Sequence, residues 1–151
     1  MEEPICQLEC DFVKPCEISS GLERVFELLD QDFDIQIPVV EDENFVGCFD
    51  VSFMVKFIEG HLPKGSNEVR RYVNREVKKV FIGESKLFHL HYMFKTSTNV
   101  FVLEKKQSLG ETILKYKGQI SKNSFYKQIL KRIKADNVSA DFLTNILRNR
   151  K

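Results

Sequence analysis

Apolar residues recur along this chain at two spacings, helical and strand-like, in an order that occurs twice. Leu22, Val25, Phe26, Leu28 and Leu29 stand at helical spacing and predict a helix over residues 21–30 with one buried face. Ser20 just ahead of it and Glu23 in its first turn fit a capping box, in which each side chain satisfies an otherwise unpaired backbone N–H. Residues 35–40 form an apolar run too short for a helix and rich in β-branched side chains, hence a strand, with Pro38 where the ladder can spare an N–H. Residues 41–44 read as a turn and 45–49 as the returning strand. Asp50 or Ser52 then caps a second helix carrying Val51, Phe53, Met54, Val55, Phe57 and Ile58.

Ahead of this unit, residues 1–13 read as an extended arm with a short strand, and Pro15 stops a helix from running through Lys14. After it, Pro63 and Gly65 mark a linker, and residues 69–75 leave a helix and an extended crossing both open. The order then begins again. Residues 77–82 predict a strand, 84–95 a helix around Leu87, Phe88, Leu90, Tyr92, Met93 and Phe94, and 100–103 a strand. Residues 105–110 read as a turn, 112–116 as the return strand, and 122–134 as a helix with Phe125, Ile129, Leu130 and Ile133. Ser139 caps a short terminal helix bearing Phe142, Leu143, Ile146 and Leu147, with Arg148, Arg150 and Lys151 at its dipole-negative end.

Laid over each other, the halves match Leu22–Leu29 with Leu87–Phe94, Val39 with Val102, and Gly47 with Gly118, so the second hairpin is the longer one. Two repeats that each present an apolar sheet face bury both by packing together, which predicts one pseudo-twofold unit. At 151 residues, 42% of them hydrophobic, the chain can fill one shared core but not two large domains. No apolar run approaches the ~18 residues of a membrane span and the first residues are acidic, so a soluble, cytoplasmic protein is expected.

Charge adds a second pattern. Residues 1–50 carry 14 acidic side chains against 2 basic ones, whereas residues 105–151 carry 12 basic against 3 acidic. That polarity concerns partners rather than fold and permits acidic-to-basic self-association or docking of the basic end on an acidic surface. Cys6, Cys10, Cys16 and Cys48 show no paired spacing and read as buried or half-buried thiols. Zinc at the first three would need a fourth ligand from His61, His89 or His91, none at finger spacing.

The segments Ile18-Ser19-Ser20-Gly21-Leu22-Glu23, Ile37-Pro38-Val39-Val40-Glu41-Asp42 and Phe45-Val46-Gly47-Cys48-Phe49-Asp50-Val51 together resemble a CBS domain. A looser copy, with Gly118-Gln119-Ile120-Ser121, resembles a second one, and the pair is similar to a Bateman module. The resemblance implies an α+β fold of two β-α-β-β-α repeats in one module: residues 12–59 and 77–134, a linker over 60–76 and a terminal helix over 135–151. It also implies clefts that often bind AMP, ADP, ATP or S-adenosylmethionine, a regulatory rather than catalytic role, and face-to-face association as a homodimer or with a protein partner.

In such modules a Ser or Thr three residues past the glycine meets phosphate or ribose, and an Asp six past it holds the ribose hydroxyls. The first repeat offers Asp50 and Phe53 there, and a carboxylate repels phosphate. The second offers Ser121 and Ser124, with Lys122 at a helix start that favours an anion, and places the base near Val80, Phe81 and Ile82. No nucleophile elbow, phosphate loop or paired-histidine helix motif occurs, so no enzyme is expected. The rival reading is an interaction protein whose basic C-terminal third, with Lys115, Lys117, Lys127, Lys131, Arg132 and Lys134, docks on RNA, a ribonucleoprotein particle such as the ribosome, or an acidic protein.

Overall fold

The computed structural model describes residues 8–59 and 69–135. The first repeat comprises strand β1 (Cys16–Glu17), helix α1 (Leu22–Gln31), strands β2 (Ile37–Glu41) and β3 (Asn44–Phe49), and helix α2 (Val51–Glu59). A 3₁₀ turn at Val69–Tyr72 leads to the second repeat: β4 (Lys79–Phe81), α3 (Leu87–Met93), β5 (Asn99–Ser108), β6 (Glu111–Ser121) and α4 (Lys122–Ala135). The strands order as β1-β2-β3-β6-β5-β4, a palindrome about the β3–β6 joint, where Asn44 pairs with Lys115.

The duplication extends to individual bulges. Val39 pairs with Gly47, and the register slips between Val39 and Val40. Val102 pairs with Gly118, and the register slips between Val102 and Leu103. One core cluster, including Val25, Val39 and Phe49, packs beneath α1 and α2. A second, including Leu90, Val102 and Phe125, packs beneath α3 and α4. The third joins the repeats: Val40, Phe45 and Cys48 meet Phe101, Leu103 and Tyr116, with Phe45 and Phe101 ring centres 5.1 Å apart. The repeats therefore share one continuous sheet and, at their joint, an aromatic and aliphatic cluster.

Both glycines admit a crossing segment. A Cβ on Gly47 would strike the Asn74 carbonyl oxygen and come within 2.8 Å of Val73. On Gly118 it would meet the Cys10 Cβ at 2.8 Å and the Asp11 carbonyl oxygen at 3.0 Å. The residue after each glycine then hydrogen-bonds the incoming strand in both directions: Cys48 with Asn74 at 2.9 and 2.8 Å, Gln119 with Asp11 at 2.9 Å each way. Residues 69–75 therefore combine a 3₁₀ turn with an extended crossing, and the arm before β1 crosses the second repeat.

Three expectations need correction. Ser20 and Glu23 form no capping box: Gly21 is the N-cap, and the Ser20 hydroxyl instead donates to the Glu17 carbonyl at 2.6 Å. Helix α3 spans Leu87–Met93, shorter than residues 84–95, because Gly83 and Ser85 hold a turn in which the Ser85 hydroxyl accepts the Phe81 N–H. The span read as a turn at 105–110 is mostly strand, and only Leu109 and Gly110 turn. Polar residues Lys105–Ser108 carry no strand-like alternation of apolar groups, yet each pairs in register with residues 111–114. The terminal helix expected from Ser139 onward and most of the linker lie outside the described residues. Among those described, no helix is long and apolar enough to cross a membrane.

Candidate functional site

Strands β3 and β6 each run straight into a helix, so the residues three past Gly47 and Gly118 become helix caps. Asp50 is 8% exposed; its Oδ1 accepts the Phe53 N–H at 2.7 Å and its Oδ2 accepts the Cys48 thiol proton at 3.5 Å. Ser121 does the same for α4, its hydroxyl accepting the Ser124 N–H at 3.1 Å. The pseudo-twofold sets these helix starts around one shared cleft of about 760 Å³, lined from the first repeat by Asp50, Val51 and Phe53 and from the second by Ser121 and Lys122.

Side chains not singled out from the sequence join the repeats here. Asn99 Nδ2 donates to Gln36 Oε1 and to Gln119 Oε1, both at 2.7 Å, and Gln119 Nε2 donates to the Gln36 carbonyl at 3.1 Å. Gln119 is buried, so these partners satisfy amide groups that water cannot reach. Gln36 and Asn99 are 63 residues apart, the same offset that superposes Val39 on Val102, so equivalent positions of the two repeats touch. The legible signal was a polar residue just ahead of each apolar strand run.

Electrostatically the cleft is acidic. Asp11, Asp32, Asp34 and Asp50 line it, and Lys122 is the cation among its lining residues. Burial, with the Asp50 carboxylate beside it, pushes the Cys48 thiol well up, so this cysteine is a hydrogen-bond donor and not a nucleophile. Cys10, Cys16 and Cys48 are free thiols. Among the described residues no group of three His, Cys, Asp or Glu side chains could hold a metal ion. His89 accepts the Lys86 N–H at 2.8 Å, and His91 shares a hydrogen bond of 2.9 Å with Tyr126, so both serve the α3 surroundings.

The expected site residues are only partly brought together. Asp50, Ser121 and Lys122 meet in the cleft, with Phe53. Ser124 lines a smaller adjoining depression with Lys127 and Lys131, its hydroxyl accepting from Gln128 at 3.0 Å. Phe81 and Ile82 are not among the residues lining either. Phe81 ends the edge strand β4 and Ile82 follows it; the Lys105 ammonium sits 4.6 Å over the Phe81 ring and the Ile82 N–H binds the Leu103 carbonyl. Strand β5 separates them from β6, so apolar wall for a base comes instead from Val13, Phe33, Ile35, Val51 and Phe53.

No protein-family model and no curated protein sequence matches this chain. Solved structures do. Staphylococcus aureus OpuCA is similar at 21% identity over 80% of this chain and 97% of that one, with a TM-score of 0.57. CbpB from Streptococcus agalactiae is similar at 17% identity over 90% of this chain and 82% of that one, with a TM-score of 0.60. A CBS domain-containing protein of unknown function from Bacillus anthracis str. Ames Ancestor is similar at 15% identity, covering 79% and 85%, with a TM-score of 0.58. Taken with the palindromic strand order and the matched bulges, these likenesses show that the chain has the fold of a tandem CBS domain pair.

Proposed function

We propose that this chain is a non-catalytic regulatory module whose inter-repeat cleft binds an adenine nucleotide, AMP in preference to ADP or ATP. The observation that carries the reading is the cleft itself, walled by apolar side chains and bounded by two helix starts of opposite chemistry. One phosphate fits the α4 start, where Ser121 and Lys122 stand and the helix dipole favours an anion. Ribose hydroxyls can donate to the carboxylates. Each further phosphate would bring charge toward Asp11, Asp32, Asp34 or Asp50, and the repulsion grows with it. The α2 start offers no matching phosphate seat, because its cap, Asp50, is a carboxylate and repels phosphate, whereas the α4 cap, Ser121, is neutral.

Thermal melts test this. A ligand at a hundredfold excess over its Kd stabilises the native state by about 2.7 kcal/mol, or roughly 5–10 °C for a domain of this size. AMP is expected to shift the midpoint most and ATP least, with Lys122→Glu abolishing the AMP shift. No shift with any of the three at millimolar concentration removes the nucleotide reading.

A second reading rests on a feature the first repeat lacks. Strands β5 and β6 continue past the joint with β3 as a two-stranded ribbon carrying Lys105 and Lys106, and at its base contact with Lys106, reinforced by Lys117, lowers the pKa of the exposed Lys115. Crowded ammonium groups of this kind are relieved by a polyanion, and docking on RNA or a ribonucleoprotein would use them. Fluorescence anisotropy with single-stranded RNA at two salt concentrations checks it: binding that survives Lys106→Glu with Lys115→Glu, or none at low salt, counts against it.

A further inference from the structure

The two repeats differ at a position where their symmetry puts an aromatic ring on one side and a carboxylate on the other. Glu17 pairs with Val40 and Phe81 pairs with Leu103, and Val40 and Leu103 each follow the bulge of their own repeat, so the pseudo-twofold makes Glu17 the counterpart of Phe81. Phe81 packs on the cluster that joins the repeats, as does Val77. Glu17 is exposed instead, and its Oε1 accepts the Asp42 N–H at 2.9 Å. Beside Val40 and Tyr116, where no counterpart of the Phe81 ring stands, lies a groove of about 360 Å³, within the ~300–1,000 Å³ range of small-molecule sites. Phe12 and Pro15 of the arm add apolar wall. Phe12 is 64% exposed, its ring centre 5.3 Å from that of Tyr116, yet the residues on both sides of it are fastened, Asp11 to the Gln119 backbone and the Val13 N–H to the Tyr116 hydroxyl at 3.2 Å. A large apolar side chain is thereby held in solvent beside an open groove.

The groove also carries both signs of charge: Lys115 and Lys117 flank Tyr116 on β6, and Glu17 and Glu43 line it from the first repeat. We propose that this groove is a second ligand site, separate from the inter-repeat cleft, and that it takes an aromatic α-amino acid. The ligand's ring occupies the place beside Val40 and Tyr116 that corresponds to Phe81 in the other repeat, its carboxylate faces the two lysines, and its ammonium faces the two glutamates. Contact with Lys106, reinforced by Lys117, already lowers the pKa of Lys115, a crowding of positive charge that a bound carboxylate relieves. A ligand with one charge leaves the opposite pair of side chains unmatched, and a ligand without a ring leaves the apolar wall in water, so the recognition requires all three groups. The groove and the cleft share no lining residue, and the inference does not depend on a nucleotide.

Isothermal titration calorimetry of the full chain with L-phenylalanine tests it. Binding at millimolar concentration or tighter is expected, weakened by roughly tenfold or more in 3-phenylpropionate, which lacks the ammonium, in phenethylamine, which lacks the carboxylate, and in L-alanine, which lacks the ring. Glu17→Phe supplies from the chain itself the ring that the groove lacks and should abolish binding. Lys115→Glu places a carboxylate against the ligand's own and should weaken binding by roughly tenfold or more, with circular dichroism confirming that both variants are folded. Any AMP-induced shift in melting should be the same in both variants as in the wild type, so the failure of one site is read separately from the failure of the other. The proposal is overturned by an absence of L-phenylalanine binding at millimolar concentration. It is equally overturned by 3-phenylpropionate binding as tightly as L-phenylalanine, or by folded variants that bind as the wild type does.

Discussion

Replacing Gly47 by alanine perturbs the joint between the first repeat and the segment that crosses it, and the structure sets the magnitude. The new methyl group would collide with the Asn74 backbone carbonyl and approach Val73 Cγ1 to 2.8 Å, and a backbone oxygen cannot swing aside as a side-chain tip can. Moving Asn74 breaks its two hydrogen bonds with Cys48, at about 1 kcal/mol each. It also unseats Val73, whose burial is worth up to ~2 kcal/mol. The expected loss is about 3–5 kcal/mol, a large part of the ~5–15 kcal/mol typical of a whole domain. Gly118→Ala is the internal control. It faces Cys10 and Asp11, which lie on a partly exposed arm that can shift outward, so about 1–2 kcal/mol is expected. Urea unfolding followed by circular dichroism reads both. With a slope of ~2 kcal/mol per molar, Gly47→Ala should lower the midpoint by about 1.5–2.5 M and Gly118→Ala by less than ~1 M. Equal shifts, or a Gly47→Ala shift below ~0.5 M, would refute the reasoning that a buried crossing backbone makes the first glycine the more constrained.

Other expectations follow from the same geometry. Ser121→Ala removes the α4 cap and should cost about 1 kcal/mol, while Ser121→Asp, which restores a cap, should recover most of it in the same urea assay. Burial raises the Cys48 thiol above its ordinary 9.0 and the Tyr116 phenol above 10.0. The native state therefore holds these protons more tightly than the unfolded one, so their contribution is complete below about pH 9 and is lost as the solution becomes more alkaline. Urea midpoints measured from pH 7 to 10.5 should fall at the alkaline end, and Cys48→Ala should flatten part of that fall. Asn99→Leu leaves the buried Gln119 oxygen without its donor and should cost about 1–3 kcal/mol. A loss no larger than that of an exposed control such as Thr112→Leu would show that the amide network is dispensable.

Much of the architecture was present in local pattern. Helical and strand spacing around Leu22–Leu29, Val39–Val40, Phe101–Leu103 and Phe125–Ile133, with glycines at matched positions, determined two repeats of the same order, because periodicity records which face each element buries. Asp50 and Ser121 as helix starts were legible for the same reason, since a cap bonds only to its own next turn. What bonds across the chain was not. Asp11 crosses Gln119, Asn74 crosses Cys48, and Gln36 meets Asn99, and nothing in the local alternation of these polar residues distinguishes a crossing strand from a loop. The same limit hid the paired ribbon over Lys105–Ser108, where register rather than hydrophobicity makes the strand, and misplaced Phe81 and Ile82, which are apolar as expected but sit one strand too far from the cleft. Sequence determined what the elements with an apolar face are and which side of each is buried. Tertiary structure alone decided which elements share a cleft, because that depends on long-range contacts across a pseudo-twofold joint, the Asn44–Lys115 strand pair, the Phe45–Phe101 packing and the Gln36–Asn99 amide hydrogen bond.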